Sequence, residues 1–149
     1  MPIVEPLATT LILSEKVLNE ADGVLSAIRM ADLYYVPRLP SVLAENQVVL
    51  MTVLIGCRFP PDDMSKHSLS LRLTRPDGTE KDVDFGTPLE VSLAEIPIKV
   101  PGAPRAFNVV SPWGVKATHM GLHRLTLFVD GNEATKALFT LAPAPAETK

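Results

Sequence analysis

The clearest regular pattern in the chain is an alternation of apolar and polar residues over positions 68–75. Leucines occupy positions 69, 71 and 73, and polar or charged residues stand between them. A period of two is typical of a strand with one buried face. Pro76-Asp77-Gly78 supplies turn residues, and the alternation resumes at Val83 and Phe85. These positions predict a β-hairpin.

A second hairpin is predicted near the C-terminus. His123 begins an alternation that runs to residue 129, Asp130-Gly131 follows, and a second alternation covers 136–141. Asp-Gly is a strong hairpin signal because the tight turn needs positive φ angles. Phe128 and Leu138 fall on the outward faces, which indicates that these faces are not fully solvated.

Two further segments predict strands. Residues 48–59 are almost continuously apolar and rich in β-branched side chains, a pattern typical of a central strand buried on both faces. Pro60-Pro61 stops this run. Residues 105–110 predict another strand, and we expect it to end at Ser111-Pro112 because proline cannot donate to a ladder.

The first third of the chain allows two interpretations. Residues 9–20 and 23–36 contain no proline, so helices are permitted there. The Thr- and Ile-rich start favours two strands joined by a turn at 21–23. A similar choice arises at Thr87-Pro88-Leu89-Glu90, which matches a capping box, whereas the apolar alternation over 89–93 fits a strand.

Together these segments predict an all-β fold: an antiparallel β-sandwich of about seven or eight strands, with room for one short helix. The 14 prolines among 149 residues argue against long helices. The length indicates one domain, which we place at residues 1–141. The Ala- and Pro-rich residues 142–149 predict a flexible tail.

Charge and cysteine content narrow the function classes. The net charge is −3, and no basic stripe is present to follow a phosphate backbone or an anionic membrane, so we expect no nucleic-acid and no membrane partner. The apolar run at 48–57 is too short for a membrane helix, and the first residues lack the features of a signal peptide. Cys57 is the only cysteine. These features predict a cytoplasmic protein.

The order of these elements resembles a known family. Phe107-Asn108-Val109-Val110 precedes a loop, Gly121-Leu122-His123 opens the second hairpin, and Ala21 to Ile28 follows a first strand. This arrangement resembles small bacterial and phage proteins with no assigned function, which adopt an immunoglobulin-like or C2-like sandwich. His123 stands where such hairpins often carry an aromatic residue. The resemblance implies the fold and a non-enzymatic role, and it supplies no site residues.

Candidate chemistry in the sequence is weak. His119 and His123 would share a helix face, but on a strand they lie roughly 13 Å apart, too far for one metal ion. Cys57 ends an apolar run, which favours a small buried hydrophobe over a nucleophile. The aspartates belong to different turns, and neither a phosphate loop nor a nucleophile elbow is present. We therefore predict no catalytic residue, no metal ligand and no cofactor.

Three aromatic residues are the best candidates for contact with a partner. Trp113 is the only tryptophan, and Ser111-Pro112-Trp113-Gly114 is typical of a turn. A tryptophan there either closes the end of the core or serves as an exposed anchor, and we favour the first. Tyr34 and Tyr35 are adjacent, so on a strand they face opposite ways and at most one belongs to the core.

The sequence therefore favours a non-enzymatic binding module whose partner is an unidentified protein, with homo-oligomerisation left open. The first alternative is a structural or self-assembling subunit of a phage or bacterial particle. The second is an enzyme whose site has no sequence signature.

Overall fold

The computed structural model describes residues 4–19, 25–30, 32–36, 47–84, 89–98 and 100–145. These ranges contain ten strands and one 3₁₀ turn. The strands are β1 (Ala8–Asn19), β2 (Leu25–Met30), β3 (Leu33–Val36), β4 (Val48–Phe59), β5 (Lys66–Thr74), β6 (Glu80–Asp82), β7 (Leu89–Ser92), β8 (Arg105–Lys116), β9 (Gly121–Val129) and β10 (Asn132–Pro143).

The strands form two sheets. Sheet A has the order β2-β1-β4-β8, and all its pairings are antiparallel. Sheet B has the order β3-β10-β9-β5-β6, and β7 also pairs with β5. Its pairings are antiparallel except that β3 runs parallel to β10. The predicted all-β sandwich is confirmed, with a larger number of strands and one parallel pair.

The core lies between the inner faces of the two sheets. Alternate residues of β5 are buried, and Leu125, Leu127 and Phe139 of sheet B are fully buried. Trp113 of sheet A meets Phe139 edge to face, with ring centroids 6.0 Å apart. This is the two-layer packing that period-two patterns require.

A buried cation anchors the start of β8. Arg105 is 7% exposed, and its guanidinium donates hydrogen bonds to the carbonyl oxygens of Pro61, Leu93 and Ile96. A buried charge is tolerated when its donors are satisfied in this way. Arg105 therefore holds the loop after β4 and the 3₁₀ turn against the end of sheet A.

Strand β8 corrects one prediction. It does not end at Ser111-Pro112 but continues to Lys116, so Trp113 lies within a strand and not in a turn. The reason is the position of β8 at the edge of sheet A, because an edge strand tolerates proline where its missing N–H faces away from the neighbouring strand.

The remaining ambiguous segments are now assigned. β1 and β2 pair as antiparallel strands, so the first third forms strands where helices were also permitted, but residues 25–36 contain two strands, β2 in sheet A and β3 in sheet B, in place of the single strand predicted there. The predicted turn at 21–23 lies outside the described residues. Residues 89–92 form strand β7, and the 3₁₀ turn Leu93–Glu95 follows it. Thr87 and Pro88 lie outside the described residues. No helix in the described ranges is long and apolar enough to cross a membrane.

Strand pairing continues past the predicted start of the tail. Ala142 and Pro143 belong to β10 and pair with β3, and the N–H of Ala144 donates to the carbonyl oxygen of Val36. Strand β10 thus includes Ala142 and Pro143, which belong to the Ala- and Pro-rich segment at the C-terminus. Residues 146–149 lie outside the described residues.

Candidate functional site

The two adjacent tyrosines of β3 face opposite ways, as their positions predict. Tyr34 is 9% exposed and Tyr35 is 56% exposed. The Tyr34 ring meets Phe139 edge to face at 6.2 Å, and Trp113 meets the same ring from sheet A. The structure therefore brings Tyr34 and Trp113 together around one core ring, whereas Tyr35 lies on the outer face of sheet B.

The hydroxyl of Tyr34 is buried and has no hydrogen-bond partner among the described residues. Burial raises the pKa of this phenol, and the charge of Glu15 adds to the effect. A buried hydroxyl without a hydrogen-bond partner lowers the free energy of unfolding, so the hydroxyl of Tyr34 is expected to destabilise the fold.

Tyr35 belongs to an exposed apolar patch on sheet B, which we call the Tyr35 patch. Its members are the large apolar side chains that remain more than two-fifths exposed on β3, β9 and β10: Leu33, Tyr35, Leu122 and Leu138. Leu33 and Leu122 pair with Thr140 from opposite sides, and Tyr35 pairs with Ala142. These registers place the four side chains next to one another on one face.

One cation adjoins the Tyr35 patch. Arg124 pairs directly with Leu138, and its exposed side chain forms no ion pair with any described residue. The nearest basic neighbour along β10, Lys136, lies 3.8 Å from Glu133. Within the described part of sheet B, the Tyr35 patch thus has a guanidinium available for an external carboxylate.

A second apolar patch lies on the outer face of sheet A, which we call the Leu50 patch: Val48, Leu50 and Val110. Leu50 is 77% exposed. A Cβ on Gly114 would come within 3.5 Å of Leu50 and 2.6 Å of Val48, so these two side chains share one face, and Val110 pairs with Leu54 further along the same two strands. The Leu50 patch is aliphatic and contains no aromatic side chain, in contrast to the Tyr35 patch.

The most elaborate polar cluster surrounds His67. Its Nε2 lies 2.7 Å from Asp63 and its Nδ1 2.5 Å from Asp130, while Phe59 stacks on the ring at 4.0 Å. Ser65 donates its hydroxyl to Asp63 and lies 3.1 Å from His67 Nε2. His67 is 3% exposed, so the cluster lies almost entirely within the protein.

Carboxylates on both sides favour the charged imidazole. Burial alone would lower the pKa of His67, but the hydrogen bonds and charges of Asp130 and Asp63 outweigh burial and raise it. Burial would raise the pKa of Asp63, but its hydrogen bonds with Ser65 and His67 outweigh this effect and lower it. The arrangement is therefore an ion triad with a cation at its centre.

This cluster resembles a serine hydrolase triad in composition but differs in hydrogen bonding. Each imidazole nitrogen faces a carboxylate, which favours the form with a proton on both nitrogens, and Ser65 directs its own proton to Asp63. A protonated imidazole cannot accept the proton of a serine. The geometry suits a clamp between the loop after β4 and the turn between β9 and β10.

Sequence reasoning missed this clamp. It assigned no role to His67 and explained Asp130 by hairpin chemistry alone. The available signal was the spacing Asp63-x-Ser65-x-His67, which puts three polar side chains at alternate positions before an apolar strand. The contribution of Asp130, 63 residues away from His67, depends on the pairing of β5 with β9 and has no local signal.

The other predicted candidates are separate from one another. His119 is partly exposed and lies 3.1 Å from Asp77. His123 is buried and stacks on Phe139 at 4.9 Å, and burial lowers its pKa. Within the described ranges, no group of three or more His, Cys, Asp or Glu side chains is arranged to hold a metal ion. Cys57 is fully buried, as predicted, and burial raises the pKa of its thiol to about 11.

Comparison with known proteins gives structural likenesses only. No protein-family model and no curated protein matches the chain. One similar solved structure is an immunoglobulin-like protein from Pseudomonas aeruginosa, 19% identical, covering 89% of this chain and 97% of that one, with a TM-score of 0.36. Another is the Pseudomonas fluorescens alkylpurine DNA glycosylase AlkC bound to DNA containing an abasic site analog, 14% identical over 62% of this chain, with a TM-score of 0.46. The matched region is 26% of that glycosylase chain.

Proposed function

We propose that this chain is a non-enzymatic protein-interaction module that binds its partner through the Tyr35 patch. The observation that carries the proposal is a contiguous apolar surface of Leu33, Tyr35, Leu122 and Leu138 on one face of sheet B, with Arg124 beside it. Exposure of a contiguous apolar surface to water is energetically unfavourable, and such a surface commonly marks an interface. The mechanism is surface complementarity without a chemical step.

The composition of the patch supports a protein as the occupant. Tyrosine and arginine are enriched among residues that dominate binding energy, and Tyr35 and Arg124 supply both. The partner surface would present apolar side chains to the leucines and a carboxylate to Arg124. The Leu50 patch lacks both residue types, and for that reason we place the contact on sheet B.

The proposal includes the cellular compartment in which the protein binds its partner. Cys57 is the only cysteine, and it is free and buried. The absence of any cysteine pair agrees with a reducing compartment. We propose the cytoplasm as the place where the partner is met.

The test compares capture by three forms of the protein. Wild type, Tyr35→Lys and Leu50→Lys would each be immobilised and exposed to lysate of the native host, after thermal unfolding has shown that all three fold. We expect one stoichiometric protein to bind wild type and Leu50→Lys but not Tyr35→Lys. Leu122→Lys should behave like Tyr35→Lys, because it places a charge in the same patch.

Other outcomes contradict the proposal in distinguishable ways. If only Leu50→Lys failed to capture the partner, the binding surface would be the Leu50 patch on sheet A and not the Tyr35 patch. Large assemblies of purified wild type in light scattering, dispersed by Tyr35→Lys, would identify the chain as a self-assembling subunit. A wild-type protein that stays monomeric and captures nothing would argue against an interaction module.

A further inference from the structure

A cleft of about 570 Å³ opens between the two sheets on the side of β8 and β6. Its apolar lining comes from both sheets: Leu73, Val83, Trp113 and Val115. β6 and β3 are at opposite edges of sheet B, so this cleft lies away from the Tyr35 patch. Its volume falls in the range of small-molecule sites, roughly 300–1,000 Å³.

Lys81 gives the cleft a cation. It pairs with Leu73, which is 5% exposed and belongs to the inner face, so Lys81 points towards the space between the sheets and lines the cleft. Its neighbours Glu80 and Asp82 lie 3.8 Å and 3.3 Å from the guanidinium of Arg72. Among the described residues, Lys81 forms no ion pair.

The acidic residues at the cleft already have partners within the chain. Asp82 lies 3.3 Å from the guanidinium of Arg72 on the outer face, and Asp84 also has an interaction within the protein. The other cations that line the cleft are Arg75 and Lys116. The cleft therefore combines an apolar floor with a charged rim of three cations, Arg75, Lys81 and Lys116, and two carboxylates, Asp82 and Asp84.

A peptide strand is a poor fit for this cleft. On β8, the N–H of Ala117 donates to Gln47 towards β4, and backbone groups alternate in direction, so the position of Pro112 faces the free edge without a donor. On β6, an inward-pointing lysine opposes pairing with an added strand. Both edges beside the cleft thus discourage strand addition, which leaves a small molecule as the suitable occupant.

We propose that the cleft binds a small amphipathic carboxylate. The apolar part would lie against Trp113, Leu73 and Val115, and the carboxylate would accept hydrogen bonds from the ammonium of Lys81 at the rim. Burial of the apolar part supplies binding energy, and the charge-assisted bond supplies selectivity for an anion.

Trp113 makes the test direct, because it is the only tryptophan and it lines the cleft. Decanoate, used below its micellar concentration, would be titrated against wild type with tryptophan emission and calorimetry as parallel readouts. Decanol and decyltrimethylammonium would be titrated in the same way. We expect saturable binding of decanoate, with decanol and the cation weaker by about tenfold or more.

The matched variants are Lys81→Gln and Lys66→Gln. Lys66 is exposed on β5 and does not line the cleft, so its variant removes a charge without changing the site. We expect Lys81→Gln to weaken decanoate binding about tenfold and to leave decanol unchanged, while Lys66→Gln binds like wild type. Equal affinity for all three ligands, an unaffected Lys81→Gln variant, or the absence of saturable heat and emission change would each overturn the proposal.

Discussion

At the residue scale, His67 shows how neighbours decide the role of a titratable side chain. The imidazole is held between Asp63 and Asp130, and it stacks on Phe59. Removing one member of a buried ion cluster leaves the others with an uncompensated charge. The clamp should therefore contribute to stability in a way that depends on pH.

The sign of that dependence follows from the pKa shifts. The pKa of His67 is raised, so its contribution is full below its ordinary value of 6.5 and is lost as the pH rises through the folded value. The pKa of Asp63 is lowered, so its contribution is present above its ordinary value of 3.8 and is lost as the pH falls through the folded value. The clamp is strongest between these two ordinary values.

The first prediction concerns His67→Gln. At about pH 6, we expect this variant to lower the free energy of unfolding by about 3 kcal/mol, because two carboxylates lose their cation. Urea denaturation at several pH values would show the difference from wild type shrinking in the alkaline range. His119→Gln is the control, because its contact with Asp77 is exposed and should matter little. A difference that grows with pH would contradict the charge assignment.

The second prediction concerns the buried hydroxyl of Tyr34. Tyr34→Phe removes a polar atom that has no partner among the described residues and keeps the ring contact with Phe139. We expect the free energy of unfolding to rise by about 1 kcal/mol, because the desolvation cost disappears. Denaturant unfolding measures this change. A loss of similar size would show that the hydroxyl has a favourable partner.

At the element scale, β8 shows that a strand at the edge of a sheet can contain a proline without ending there. Pro112 pairs with Thr52 inside a strand of 12 residues, and its missing donor faces the free edge. Sequence reasoning ended the strand at Ser111-Pro112 because proline cannot donate a hydrogen bond to a neighbouring strand. The order of strands within a sheet, which local patterns do not report, decided the outcome.

The third prediction follows from this geometry. Pro112→Val would restore an N–H at the free edge of sheet A without disturbing the ladder to β4. We expect folding stability to change by less than about 1 kcal/mol and self-association to increase. Light scattering over a range of concentrations would detect the association. Ala106→Val is the control, since it enlarges a side chain of the same strand and leaves Pro112 in place.

The fourth prediction concerns the attachment of β3. Among the described strands, β3 pairs with β10 alone, and this pairing extends to Pro143. A chain ending at residue 141 would lose the partners of Tyr35 and Val36, and we expect about 2 kcal/mol of stability to be lost. A chain ending at residue 145 should unfold like the full chain. Equal stability of the two truncated forms would show that residues 142–145 act as a dispensable tail.

At the scale of the whole molecule, the sequence predicted the class of fold and the two hairpins, because period-two patterns and turn residues are local. It did not predict that β3 joins β10 in parallel or that β8 continues past Pro112. For the candidate site, too, local features could be predicted from the sequence and features that depend on distant pairings could not. The opposite orientations of Tyr34 and Tyr35 could be predicted from adjacency, whereas the Tyr35 patch depends on Leu33 and Leu122 meeting across Thr140.

The fifth prediction concerns folding of the whole chain. Both sheets depend on distant pairings, such as Val48 with Lys116 and Leu69 with Val129. Closing such long loops before contacts form slows folding, so we expect refolding in the range of milliseconds to seconds. Stopped-flow emission of Trp113 would measure it, because that ring lies between the sheets. Refolding within microseconds would contradict a topology dominated by distant pairs.

Because Cys57 is buried, its reaction with a thiol reagent can report how often the folded protein opens. The thiol is fully buried, its pKa is raised to about 11, and no second cysteine competes with it. A thiol reagent can therefore react only when the core packing around Cys57 opens, and the labelling rate measures how often that happens. A cysteine introduced at the surface would react first, so one position of the folded protein can be labelled without removing the native thiol.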